Sequence, residues 1–245
     1  KFVKKAKLGI AIMILIIVLL VSFIVFLLLK KEEKVVVTDK VKKDIKIEKI
    51  IPVPKLSQFP EIPTGCEGVA ATMVLQYYGV DISAVDFTRD WLECSETFYS
   101  KNGVLYGPNP DEFFVGNPFS ENAYGCFANT IVKAINQNST TCAAGEIKDK
   151  SLSELCNLYI KEDKPLLIWA TMGMKPSKEG KVWCFDDGSQ FTWIAGEHCL
   201  VLVGFNENYY FFNDPQSAST VAFEKELCEK RFAELGNRAI YIYKK

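Results

Sequence analysis

Along the chain, hydrophobic and polar positions fall into three unlike stretches. Leu8 to Leu29 contains no charged residue, and Ser22 is its most polar member. A helix needs about 20 apolar residues to cross a bilayer core, so the pattern predicts a transmembrane helix over 8–29, behind a short basic tail at 1–7. Lys30-Lys31-Glu32-Glu33 follows directly, with no small-residue cleavage site, which favours a retained anchor over a removable signal peptide. Residues 30–49 are rich in Lys, Val, Glu and Asp and hold no Gly or aromatic residue. They read as a charged stalk. Lysines 1, 4, 5 and 7 nearly balance lysines 30, 31 and 34 across the span. The short basic head is the easier end to retain, so the expectation is a cytoplasmic N-terminus and an extracellular domain on a single-pass cell-membrane anchor.

The third stretch, 50–245, alternates in character as a folded domain does. Prolines 52, 54, 60 and 63 keep its start extended. Cys66 to Tyr78 has helical spacing, with Val69, Ala70, Met73, Val74 and Tyr77 on one face and Gly79 as a stop. A second helix is predicted over 83–92, and residues 93–125 read as a long irregular excursion. Phe127 to Ile135 is helical again. Ser151 and Glu154 form a capping-box pattern ahead of Leu152, Leu155, Cys156 and Tyr159. Strands are predicted over 165–171, 191–194, 198–205 and 209–213, then a helix over 221–235 and a closing strand over 238–243. Helices first and antiparallel strands after them make an α+β order.

Composition changes little in this picture. The 245 residues are 49% hydrophobic and 24% charged, with a net charge of −1. Nothing there points to nucleic acid. No Walker-type loop is present, so no ATP is expected. Eight cysteines contain no Cys-x-x-Cys pair, which argues against a zinc ribbon or a thioredoxin-like couple. An exported domain with this count is expected to hold one to three disulfides. Trp169, Trp183, Trp193, Met172 and Met174 are expected to serve mainly as core.

Chemistry gathers at four positions. Cys66 opens a helix, where unpaired N–H groups favour a thiolate and lower the thiol pKa. His198 is the chain's one histidine and begins a strand, so its ring and Cys199 take opposite faces. Asp214 ends the next strand of a hairpin that returns it beside His198, where it can fix the ring tautomer. Gln58 lies shortly before Cys66 and offers an amide to an oxyanion. Each has a bland alternative: a buried or bonded cysteine, a lone core histidine, an Asx-Pro turn. Their order along the chain does not.

The segments VPKLSQFPEIPTGCEGVAATMVLQYYGV, FVGNPFS, YGCFANTIVKAIN, PLLIWATMGM, GEHCLVLVGF and YYFFNDP carry a resemblance. From about residue 52 onward the chain resembles papain-like cysteine peptidases related to the bacteriocin-processing (double-glycine leader) peptidases, in their free-standing bacterial branch. The resemblance implies a papain-like fold of N-terminal helices on an antiparallel sheet, and thiol peptidase activity on a peptide or protein substrate without cofactor or metal. It implies Cys66 as nucleophile, His198 as base, Asp214 as its orienter and Gln58 as the oxyanion side chain. Gln58 and Cys66 stand two residues further apart than is usual in papain-like enzymes, and the ATP-binding cassette of the transporter-linked relatives is missing. An amidase, transpeptidase or wall-peptide hydrolase using the same triad, or a non-catalytic peptide-binding domain, fits the same residues.

Overall fold

The computed structural model describes Ile17, Val35–Val36 and residues 48–245. Apart from Ile17, the expected transmembrane helix lies outside the described residues, as does nearly all of the expected stalk. Among those described, no helix is long and apolar enough to cross a membrane. The chain divides into two units, Lys1–Lys34 and Val35–Lys245, and the folded domain is the second.

The proline-rich entry runs as expected without helix. Strand β1 (Val35–Val36) and strand β2 (Lys49–Ile50) precede it. Helix α1 (Cys66–Tyr77) follows, and it is buried from Cys66 through Leu75 rather than on one face. Its apolar character on all sides suits a helix enclosed by protein. Gly68 permits that enclosure, because a Cβ there would lie 2.4 Å from Thr88 Oγ1. Helix α2 (Ala84–Asp86) is capped by Ser83, whose hydroxyl accepts the Asp86 N–H, and widens into a π turn over Phe87–Trp91.

The excursion over 93–125 is more ordered than its sequence suggests. It contains β3 (Cys94–Ser95), β4 (Tyr99–Lys101), β5 (Val104–Tyr106) and β6 (Phe114–Val115). Strands of two or three residues are too short to show a period of two. β3 and β6 pair with each other. The rest build a separate sheet ordered β10-β9-β5-β4, with β9 at Lys178–Cys184 and β10 at Gln190–Ala195.

Helix α3 (Ala128–Asn138), strand β7 (Cys142–Ile147) and helix α4 (Leu152–Leu158) follow, and α4 opens on the expected capping box of Ser151 and Glu154. Then come β8 (Leu166–Thr171), β11 (Glu197–Phe205), β12 (Tyr209–Asp214) and β13 (Ser219–Glu224). Helix α5 (Lys225–Glu234) and β14 (Ala239–Lys244) complete the fold. The helix expected from Val221 therefore begins four residues later. Thr220 to Phe223 are buried in register with β12 and form strand instead.

The main sheet is antiparallel, ordered β1-β13-β12-β11-β8-β14-β7, with β2 also on β11. α1 packs on β11 and β8, and α5 on β8. This is the expected mixed fold of helices on an antiparallel sheet. The expected disulfides are a correction: all eight cysteines are free thiols, six of them buried as small core side chains.

Candidate active site

Two chain segments remote in sequence meet at the mouth of α1. Asn213 on β12 donates from Nδ2 to the Val53 carbonyl at 2.9 Å, and the Gln58 N–H donates to the Pro215 carbonyl at 3.0 Å. Thr64 holds the turn before α1 by donating its hydroxyl to the Ser120 carbonyl at 2.8 Å. The proline-rich entry is thereby fastened across the ends of β11 and β12.

The cleft so formed measures about 170 Å³. Gln58, Cys66 and His198 line it, and Tyr124, Trp193 and Met172 wall it. Trp169 and Trp183 are core instead, each donating its indole N–H to a backbone carbonyl, of Cys126 and Pro108 respectively. A larger groove of about 480 Å³ between Tyr78, Tyr159 and Tyr241 contains none of the sequence-predicted site residues.

His198 lies at the start of β11, opposite Ala170 of β8. Its Nε2 stands 2.9 Å from Asp214 Oδ1, both side chains being buried. Asp214 is itself held: Oδ1 accepts the Gln216 N–H at 2.9 Å and Oδ2 the Ser217 hydroxyl at 3.2 Å. With Nε2 turned to Asp214, Nδ1 is the ring nitrogen left for the cleft. Cys66 Sγ accepts the Cys199 N–H at 3.4 Å, which ties the thiol to the same strand. Gln58 donates from Nε2 to the Pro63 carbonyl, and its buried Oε1 has no partner. That amide carries a second hydrogen.

Glu67 and Glu197 were passed over in the sequence, each the neighbour of a motif residue. Glu67 accepts the Cys126 N–H on Oε1 at 2.6 Å and lies with Oε2 3.3 Å from Cys66 Sγ. Glu197 also lines the cleft, and its Oε1 is buried without a partner. The signal available was their setting, a carboxyl at the head of an apolar helix and another opening an apolar strand.

Electrostatics around the thiol run against the expectation from its helix. Burial first, then Glu67, Glu197 and Cys199, push the Cys66 thiol well above its ordinary range, and the Cys199 N–H only partly opposes them. Desolvation and two carboxyls outweigh a helix N-terminus here. Burial lifts Glu67 to about 7 despite the Cys126 N–H, and burial followed by Glu67 raises Glu197 well above the carboxylate range.

Cys66, Glu67 and Glu197 bring three donor atoms within 4.8 Å of one another. As a cation cage they are poor. Both Glu67 oxygens are engaged, and one leftover carboxylate oxygen and a thiol do not make a coordination shell.

The comparisons with known proteins bear on this geometry. Residues 50–240 match the Peptidase_C39 like family, most of the chain and a range that includes Gln58, Cys66, His198 and Asp214. The chain belongs to that family. A C39-like peptidase from Bacillus anthracis superposes with a TM-score of 0.69 at 27% identity, over 81% of this chain and 98% of that one. The YvpB protein of Bacillus subtilis (strain 168) is 23% identical over 188 residues, 76% of this chain and 71% of its own length. The peptidase domain of Streptococcus ComA, a bifunctional ABC transporter, is more distant, with a TM-score of 0.48 and 16% identity over 79% of this chain and 99% of that one. Membership of the Peptidase_C39 like family implies a cysteine peptidase, which agrees with the resemblance carried by the cysteine, histidine and aspartate segments.

Proposed function

We propose that the domain cleaves peptide bonds through an acyl-enzyme on Cys66, and that residues 8–29 anchor it to the cell membrane with the domain outside. One observation carries the catalytic reading. Gln58, Cys66 and His198 line a single cleft, while Asp214 holds the imidazole nitrogen that faces away from it.

In this reading His198 Nδ1 takes the proton of Cys66, and Sγ attacks the scissile carbonyl. The second amide hydrogen of Gln58 and the Cys66 N–H receive the oxyanion. Collapse of the tetrahedral species expels the amine, which His198 protonates. Water, deprotonated by His198, then releases the acid from the thioester. Asp214 keeps the ring tautomer correct and stabilises the imidazolium that forms. The tight, aromatic-walled cleft suits a narrow, unbranched peptide at the scissile bond.

The test is turnover of a mixed peptide library, followed by mass spectrometry. Cys66→Ser and His198→Ala are expected to lose turnover by at least ~10²-fold while remaining folded. Full activity in His198→Ala would remove the triad.

A further inference from the structure

The triad uses neither buried carboxyl. Glu67 is fully buried and Glu197 is 7% exposed. Gly125, at a φ of +142°, lets the backbone close over both, since a Cβ there would lie 2.5 Å from Glu67 Oε1 and 3.0 Å from Glu197 Oε2. The titratable groups around the pair are mostly thiols, Cys66 from α1, Cys94 from β3, Cys126 ahead of α3 and Cys199 from β11, with Tyr124 and His198 sharing the cleft that Glu197 lines. No Lys, Arg or His is among the leading electrostatic influences on Cys66, Glu67 or Glu197. Two carboxylates this deep, without a cation, cannot both stay ionised, so the pair holds at least one proton and carries at most one charge.

The thiol contacts point the same way. Cys66 Sγ is the donor to Glu67 Oε2 at 3.3 Å and the acceptor from the Cys199 N–H. His198 has its Nε2 committed to Asp214. In this arrangement the thiol proton is directed at Glu67.

We propose that Glu67, backed by Glu197, is a positioning residue that holds Cys66 as a hydrogen-bonded thiol, so that the nucleophile is armed only when its proton passes to His198 instead. This rests on Cys66 being the nucleophile. The step moves one proton from Sγ to His198 Nδ1, leaving a thiolate and an imidazolium, with no redox partner. The upward shift of the Cys66 thiol agrees with it, because the charge that remains on the pair opposes a second charge on sulfur.

Glu67→Gln gives a definite sign. The amide oxygen can keep the Cys126 N–H, while the new NH₂ faces Sγ and stabilises a thiolate. Removing the negative neighbour also lowers the thiol pKa. The experiment is iodoacetamide labelling of Cys66 in the full chain in detergent, as a function of pH, with the labelled residue located by mass spectrometry. Expected is a labelling midpoint at least about one pH unit lower in Glu67→Gln, roughly tenfold faster at pH 7. Glu197→Gln shifts the same way by less. That second variant decides the matter if the first fails to fold, since Glu197 Oε1 has no bond to lose. Midpoints unmoved in both, with His198→Ala displaced, overturn the positioning role and leave the nucleophile standing. A midpoint unmoved in all three overturns both readings.

Discussion

At Asp214, four features meet within one side chain and its turn: the His198 ring, the Gln216 N–H, the Ser217 hydroxyl and the Pro215 carbonyl that holds Gln58. Asp214→Asn keeps the shape and reverses one hydrogen bond. The new amide can donate to Nε2, which forces the proton onto Nδ1 and spoils the base. The expected loss in kcat is about 10²–10⁴-fold with KM little changed, read by steady-state kinetics on any substrate the library yields. This residue, with Cys66 and His198, stands at an element boundary, and together with Gln58 it falls in the chain order that the resemblance rests on. Glu67 and Glu197 sit at the same boundaries, but nothing in the sequence marked them as buried. A charge beside a motif ordinarily reads as a solvated face, and only the packing of Gly125, Cys126 and β11 around these two reveals that they are buried.

Among the elements, the long apolar runs were legible in the sequence and the two- and three-residue strands were not. α1, α4, β8, β11 and β12 emerge near their predicted bounds. β3 to β6 hide in two- and three-residue pieces, and β9 shows one buried residue, Trp183, in seven. α1 lost its predicted single face because packing from several elements covers it, which a helical period alone cannot report. The join between the proline-rich entry and β12 is likewise tertiary. Asn213 is buried, donates to the Val53 and Pro54 carbonyls, and accepts the Thr220 hydroxyl at 2.7 Å. Asn213→Ala leaves those backbone carbonyls without their donor. It is expected to cost about 1–3 kcal/mol in urea unfolding, and to lower kcat further by loosening Gln58.

For the molecule as a whole, the proposed anchor makes a prediction about sidedness. Protease added to intact cells is expected to cut the charged stalk near residues 30–49 and release a soluble fragment that still labels at Cys66. A domain that stays cell-associated and protected under the same treatment would place it inside. The compartment also bears on the cysteines, since the six buried thiols are expected to remain reduced in the folded domain even where oxidation is possible, whereas Cys94 is exposed to it.

The strand β14 has a consequence for how such a peptidase is made. It comes after every site residue in the chain, yet it lies in the interior of the main sheet, pairing with β8 on one side and β7 on the other. β8 in turn pairs with β11, which carries His198. As the chain emerges from the ribosome, the sheet beneath the cleft has a gap until residues 239–244 arrive. An unfinished chain therefore lacks support beneath His198, and the proposed activity is expected only once residues 239–244 have paired with β7 and β8.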